Sequence, residues 1–214
     1  MNQRRGVFIS FEGIEGTGKT TQAGLLKEFL ERKGYTVTLT KEPGGTVISD
    51  RIREILLSAE YKEMDPITEL LLYFASRRQH IKELIQPALD KGRIVITDRF
   101  ADSTVAYQGY ARGIDLNLIN YLSRSVAGGL MPDLTILLDM DVEAGLRRNK
   151  GKKFDRLELE AVEFHKRVRE GYRILAGEEP ERIRLIDSSK GISAVHAEAA
   201  EIAAGFLDAR FQAG

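Results

Sequence analysis

The sequence predicts an α/β protein in which a five-stranded parallel sheet is covered by helices on both faces. Three observations lead there. Residues 7–11, 36–40, 94–97, 134–138 and 183–186 are short runs rich in leucine and β-branched residues, and they are apolar along most of their length, as strands buried on both faces must be. Helical apolar patterns lie between them, which is the alternation that a parallel sheet requires. A glycine-rich segment follows the first run at once and leads directly into a helical pattern.

Taken in order, the first strand (7–11) precedes that glycine-rich turn. Leu25, Leu26, Phe29 and Leu30 then give a helix one apolar face, and Gly34 supplies its stop. After the second strand, Ile52, Ile55, Leu56 and Ala59 mark a second helix, and residues 70–89 read as one long, largely buried helix ending before Gly92. The third, fourth and fifth strands are each followed by a carboxylate, Asp98, Asp139 and Asp187. Ligand crevices of open parallel sheets lie beyond the carboxyl ends of strands. Asp139 and Asp187 are read first as turn or helix-cap chemistry, which also places Asp after a strand; Asp98 has closer company, described below. Ile202, Ala203, Phe206 and Leu207 form the last apolar face.

At 214 residues and 43% hydrophobic, the chain suits a single domain, residues 1–214, with no repeat or linker to divide it. Lys+Arg and Asp+Glu both total 32, so no bulk field favours nucleic acid or an anionic membrane, and any basic site is local. Without cysteine there is no disulfide framework, thiol nucleophile or Cys-based metal site. The basic start is followed by an apolar run broken at Glu12, too short for a signal core, and nothing approaches a span of ~20 apolar residues. The expectation is a soluble, cytoplasmic protein without nucleic-acid or membrane partners.

The glycine-rich segment is Gly13-Ile14-Glu15-Gly16-Thr17-Gly18-Lys19-Thr20, which fits G-x-x-x-x-G-K-[ST] at every fixed position and stands between strand and helix as that motif demands. Such a loop wraps its N–H groups around phosphate oxygens at a helix N-terminus, where the dipole also favours anions. Lys19 then serves the β- and γ-phosphates and the Thr20 hydroxyl serves Mg²⁺; Thr21 completes the expected ATP contacts. The expected fold is therefore of the P-loop NTPase type. A phosphate cradle alone implies an NTP and no particular reaction. Asn149-Lys150-Gly151-Lys152 begins like a guanine-reading segment but ends in the wrong charge, and is read as a chance match.

Two further segments narrow this. Glu42-Pro43-Gly44-Gly45-Thr46 follows the second strand, and Asp98-Arg99-Phe100, then Thr104 to Gly109 containing Ala106-Tyr107-Gln108-Gly109, follow the third. With the cradle, over about residues 7–172, these closely resemble the bacterial-type thymidylate kinase family of nucleoside-monophosphate kinases. The resemblance implies transfer of the γ-phosphoryl of MgATP to dTMP, giving ADP and the dTDP needed for dTTP synthesis, and a homodimer. It implies that Arg99 contacts the acceptor phosphate with Arg53 nearby, and that Tyr73 stacks on the thymine while Arg77 hydrogen-bonds it. It further places Thr104 and Gln108 at the base edge, Tyr107 and Glu15 near the deoxyribose, and Glu42 and Pro43 in the acceptor site. Asp98 joins Thr20 at the metal or holds Arg99.

The residues agree with that carry-over. An i, i+4 spacing puts Tyr73 and Arg77 on one helix face, one turn apart. Of the adjacent pair Arg77-Arg78, the spacing favours Arg77. Arg147, Arg148, Lys150, Lys152, Lys153 and Arg156 form a basic stretch, read as a lid over about residues 147–156 that excludes water, against a solvated helix end. The resemblance implies a catalytic Arg either in the cradle or, in the bacterial type, in the lid. This cradle holds none, so the lid is expected to supply the charge, with Arg148, Lys152, Lys153 and Arg156 as the candidates, and Arg148 and Lys153 are assigned with Lys19 and Arg99 to catalysis. His80, His165 and His196 fall in helical patterns away from every motif and are assigned no role. Rival readings are a kinase for another small acceptor and an NTP-hydrolysing switch.

Overall fold

The computed structural model describes residues 6–148 and 155–212. Among them five strands form one parallel sheet of order β2-β3-β1-β4-β5, with β1 Val7–Glu12, β2 Val37–Lys41, β3 Ile94–Asp98, β4 Leu134–Asp139 and β5 Ile183–Asp187. Each strand runs one residue past its apolar run, because the ladder continues beyond the hydrophobic stretch: Phe11 and Lys41 both pair with Asp98, and Asp139 pairs with Asp187. Asp98, Asp139 and Asp187 thus end strands at the same edge of the sheet.

The two-residue period of a strand divides β1 between the faces. Val7, Ile9 and Phe11 pack with Ile94, Ile96, Ile136 and Leu138 beneath α1 (Lys19–Arg32) and α9 (Ile192–Gln212), whose Leu26, Leu30, Ala199, Ala203 and Leu207 are buried there. Phe8 and Val95 face the other way, against Ile81, Ile85, Leu89 and Phe100. Ser10 and Glu12 share the register of Phe8, so two polar groups of β1 are directed into the interior of that second layer.

The second layer positions the site. Here lie α2 (Val47–Leu57) and α3 (Pro66–His80), the latter capped by the Asp65 carboxylate accepting from the N–H groups of Ile67 and Thr68. The predicted long helix continues from α3 through a π-helical turn, Ile81–Ile85, into α4 (Gln86–Asp90). After β3 come α5 (Ala101–Thr104), a π-helical segment Val105–Ala111, and α6 (Leu116–Ala127). Then α7 (Val142–Arg148) follows β4, and α8 (Val162–Glu178) packs along Val105–Ala111 through Tyr107, Phe164, Val168 and Tyr172. No helix among the described residues is long and apolar enough to cross a membrane.

Candidate active site

A cavity of about 490 Å³ opens at the carboxyl edge of the sheet, between the turn after β1, the end of β3, α3 and the π segment. Glycine conformation shapes its floor. Gly13, Gly16 and Gly18 have φ of 137°, 77° and 90°, a region in which other residues are strained. A Cβ on Gly16 would stand 2.0 Å from the Gly145 carbonyl oxygen of α7, and one on Gly145 2.5 Å from that of Glu15. Loop and helix therefore meet backbone to backbone. Inside the loop, the Thr17 hydroxyl donates to the Ile14 carbonyl at 2.9 Å and Lys19 Nζ donates to the same oxygen at 2.7 Å. Burial and the nearby Arg99 charge push the Lys19 pKa down to about 8.

Gly16, Gly18, Lys19, Thr20 and Thr21 line the cavity with Glu15, while Gly13, Ile14 and Thr17 form the loop behind them. The Thr20 hydroxyl donates directly to Asp98 Oδ2. These two hard oxygen ligands suit Mg²⁺, which takes few protein ligands and shares substrate phosphates and water. Among the described residues no cluster of three His, Asp or Glu offers a self-contained metal cage.

The acceptor residues predicted from the second motif set converge on the same space: Glu42, Pro43, Arg53, Tyr73, Arg77, Arg99, Thr104, Tyr107 and Gln108 all line it. Arg53 Nη1 donates to the Pro43 carbonyl at 2.7 Å. On α3, Arg77 faces inward and is held by Glu42 Oε2 at 2.8 Å, the Phe100 carbonyl at 3.1 Å and Thr104 Oγ1 at 2.9 Å. Its Nη1 is buried without a partner. The neighbouring Arg78 instead donates to the Val126 carbonyl at the surface, 3.1 Å away.

Arg99 has φ 72°, the one non-glycine residue in that region among those described. Left-handed backbone at such a residue persists only where surroundings fix it, and it clusters at functional sites. Its guanidinium donates to the Gly13 carbonyl at 2.9 Å, to Glu15 Oε1 at 3.1 Å and to Tyr172 Oη at 3.2 Å. Glu15 also accepts from the Tyr107 hydroxyl. Burial would raise the Glu15 pKa, but the His165 contact and the Arg99 and Lys19 charges prevail and hold it well below the usual carboxylate range.

Several of these partners escaped the sequence reading. His80 and His165 lie against motif carboxylates and are not remote: His80 Nδ1 is 3.0 Å from Glu42 Oε1, and His165 Nδ1 is 3.2 Å from Glu15 Oε2. Helical patterns hide such contacts because nothing local tells which loop a helix face will meet. Glu12 accepts from the Phe100 N–H, the Ser103 hydroxyl and the Tyr172 hydroxyl at 2.7, 2.6 and 2.8 Å; the only hint was a carboxylate ending an apolar strand. Glu69 lies one turn before Tyr73, extending the 73, 77 series.

The lid reading changes in part. Arg148 lines the cavity and donates to the Ser188 carbonyl at 3.2 Å. Arg156 is buried, its Nη2 2.6 Å from Glu69 Oε2 and its Nε donating to the Leu56 carbonyl at 2.9 Å. A group enclosed in this way is an anchor of the chain and not a free charge, contrary to its place among the expected lid cations. Lys152 and Lys153 lie outside the described residues, as does most of the predicted lid. Asp139 forms a two-bonded pair with Arg169 at 2.7 and 2.9 Å, and Asp187 caps the turn after β5 by accepting from the Ser189 N–H at 2.9 Å. Asp187 does the capping work that its position suggested, whereas Asp139 is paired to α8 through Arg169 and caps no turn.

A phosphate loop facing a second, arginine-lined subsite within one cavity defines a P-loop phosphotransferase of the nucleoside-monophosphate kinase class. The chain belongs to the thymidylate kinase family, whose pattern it matches over residues 11–199. It is 52% identical over 197 residues to a thymidylate kinase of Pelobacter propionicus, covering 89% of this chain and 90% of that one. With a thymidylate kinase of Pelotomaculum thermopropionicum it shares 48% over 207 residues, 96% of both chains. The crystal structure of thymidylate kinase from Ehrlichia chaffeensis superposes with a TM-score of 0.76 at 39% identity, covering 92% of this chain and 98% of that one.

Proposed function

We propose that the chain transfers the γ-phosphoryl group of ATP to dTMP, giving ADP and dTDP, within a single catalytic domain. The observation carrying this reading is the Arg99 guanidinium, held between the phosphate loop and Tyr172 at the junction of the two subsites. Two phosphate groups repel, and the acceptor's second pKa near ~6 leaves its attacking oxygen largely deprotonated at neutral pH. Positioning and charge neutralisation are therefore the work, and no strong base is needed.

On this reading Lys19 and the loop N–H groups hold the ATP phosphates. Arg99 and Arg53 hold the acceptor phosphate in line, and Arg148, with Lys153 of the lid, supplies charge at the transferred group. Thr20 and Asp98 would hold Mg²⁺, which when bound neutralises charge on the β- and γ-phosphate oxygens. Tyr73 stacks on the base, Arg77, Thr104 and Gln108 meet its edge, and Tyr107 and Glu15 lie by the deoxyribose. Exposed Val47, Ile48, Leu71 and Tyr121 on α2, α3 and α6 support a homodimer through that layer; sedimentation at micromolar concentration should give twice the chain mass.

A coupled ADP-release assay with dTMP, dUMP, dCMP and AMP tests the reading. Turnover should be greatest with dTMP and depend on Mg²⁺. ADP release indifferent to every acceptor would indicate an NTP-hydrolysing switch, and preference for AMP or dCMP a different acceptor site.

A further inference from the structure

Glu69, Tyr73 and Arg77 lie four residues apart on α3 and so share one face, and the Glu69 side chain is wholly enclosed. It is the hub of four contacts. Oε1 accepts from Gln108 Nε2 at 2.7 Å and from Arg112 Nε at 3.4 Å; Oε2 lies 3.2 Å from Arg112 Nη2 and 2.6 Å from Arg156 Nη2. Burial would favour the neutral acid, but the Gln108 hydrogen bond and the two arginine charges outweigh it and keep the pKa below the ordinary value.

An ionised carboxylate only accepts hydrogen bonds. Gln108 must therefore turn its amide nitrogen to Glu69, which leaves its amide oxygen for the cavity that it lines. Arg77 lines the same cavity, and its buried Nη1 is a donor without a partner. The lining thus contributes one acceptor, from Gln108, and one donor, from Arg77. A pyrimidine carrying N3–H and a 4-oxo group complements both. Cytosine, with a lone pair at N3 and an amino group at C4, sets acceptor against acceptor and donor against donor.

We propose that Glu69 is a specificity-determining positioning residue: by accepting from Gln108 it fixes the polarity of that amide, so that the site takes a 4-oxo pyrimidine and rejects cytosine. This rests on the reading of the cavity as the dTMP site. A free Gln amide could rotate by 180° and present its NH₂ group to cytosine N3 at little cost. Glu69 makes that rotation place two oxygens in contact. Sites that hydrogen-bond a required group reject analogues by factors of roughly 10⁴–10⁵, because buried polar groups are left unpaired.

The test is the ratio of kcat/KM for dTMP over dCMP. Glu69→Gln keeps the shape but can donate as well as accept, so the ratio should fall by roughly tenfold or more, chiefly through KM. Arg156→Gln removes one ion pair and leaves the Gln108 contact, and should keep the ratio within about twofold of the parent chain. Should Glu69→Gln fail to fold, Glu69→Asp carries the same comparison, since it keeps the charge among the arginines but withdraws the oxygen from Gln108. A ratio unchanged in the folded Glu69 variant, with dTMP and dCMP losing equally, overturns the proposal while the base-site reading stands. A parent chain without preference for dTMP over dCMP overturns both.

Discussion

Arg99 Nη2 stands 3.1 Å from Glu15 Oε1, joining the end of β3 to the phosphate loop that follows β1. These neighbouring strands are in register at Phe11 and Asp98, so the two turns emerge side by side. The Arg99 N–H donates to the Phe11 carbonyl at 2.9 Å, which pins the backbone where its φ is positive. Loop, strand and α8 together fix the guanidinium through protein contacts alone, the kind of preorganisation that lets a charge act without reorganisation.

Arg99→Ala should lower kcat with dTMP by about 10²–10³-fold, as loss of one preorganised charge does, while ATP affinity changes little because Lys19 and the loop remain. Arg99→Lys should recover only a small part, since an ammonium cannot reach Gly13, Glu15 and Tyr172 together. Steady-state kinetics with ATP titrations read both. A near-normal kcat in the alanine variant would remove Arg99 from the acceptor site.

Gly145→Ala puts a methyl group 2.5 Å from the Glu15 carbonyl oxygen, a backbone contact that is relieved only by moving the phosphate loop and α7 apart. The expected cost is about 1–3 kcal/mol of stability and a KM for ATP raised severalfold more than that for dTMP. Urea melts and paired KM measurements check it. An unaltered KM for ATP would show that α7 does not brace the loop.

Glu12 is enclosed, and burial first, then the charge of Asp102, push its pKa from 4.5 to about 7. The unfolded chain releases this proton near the lower value and the folded chain near the higher one. Between them the folded state binds more protons, so the stability that Glu12 contributes is full below pH 4.5 and is lost as pH rises through about 7. Glu12→Gln does not titrate. The stability of the parent minus that of Glu12→Gln should therefore fall by about 2–3 kcal/mol between pH 4.5 and 8, read from denaturant melts at each pH. A difference that is flat or rises with pH contradicts the assignment.

Most of the scaffold was legible because its signals are local. The apolar runs of β1, β3 and β4 are buried on both faces as expected, whereas β2 and β5, at the two edges of the sheet, keep partly exposed residues. Gly13, Gly16, Gly18 and Lys19 occupy a strand-to-helix turn that few other chemistries need. The i, i+4 spacing placed Tyr73 and Arg77 on one face, and adjacency in the chain excluded Arg78. What joins the pieces is non-local. His165 reaches Glu15 across 150 positions, Tyr172 reaches Glu12 across 160, and Arg156 reaches Glu69 across 87. No local pattern distinguishes a lid cation from a buried anchor when both are arginines in one basic stretch.

The sequence by itself determined the sheet, the glycine-rich strand-to-helix loop and the residue types that line the cavity, since periodicity and backbone permissiveness are properties of short segments. The tertiary structure alone decided which charges are paired, which are enclosed and which face the cavity. Those outcomes depend on which helix faces come together, and burial, which sets how strongly each charge acts, is a property of the whole fold.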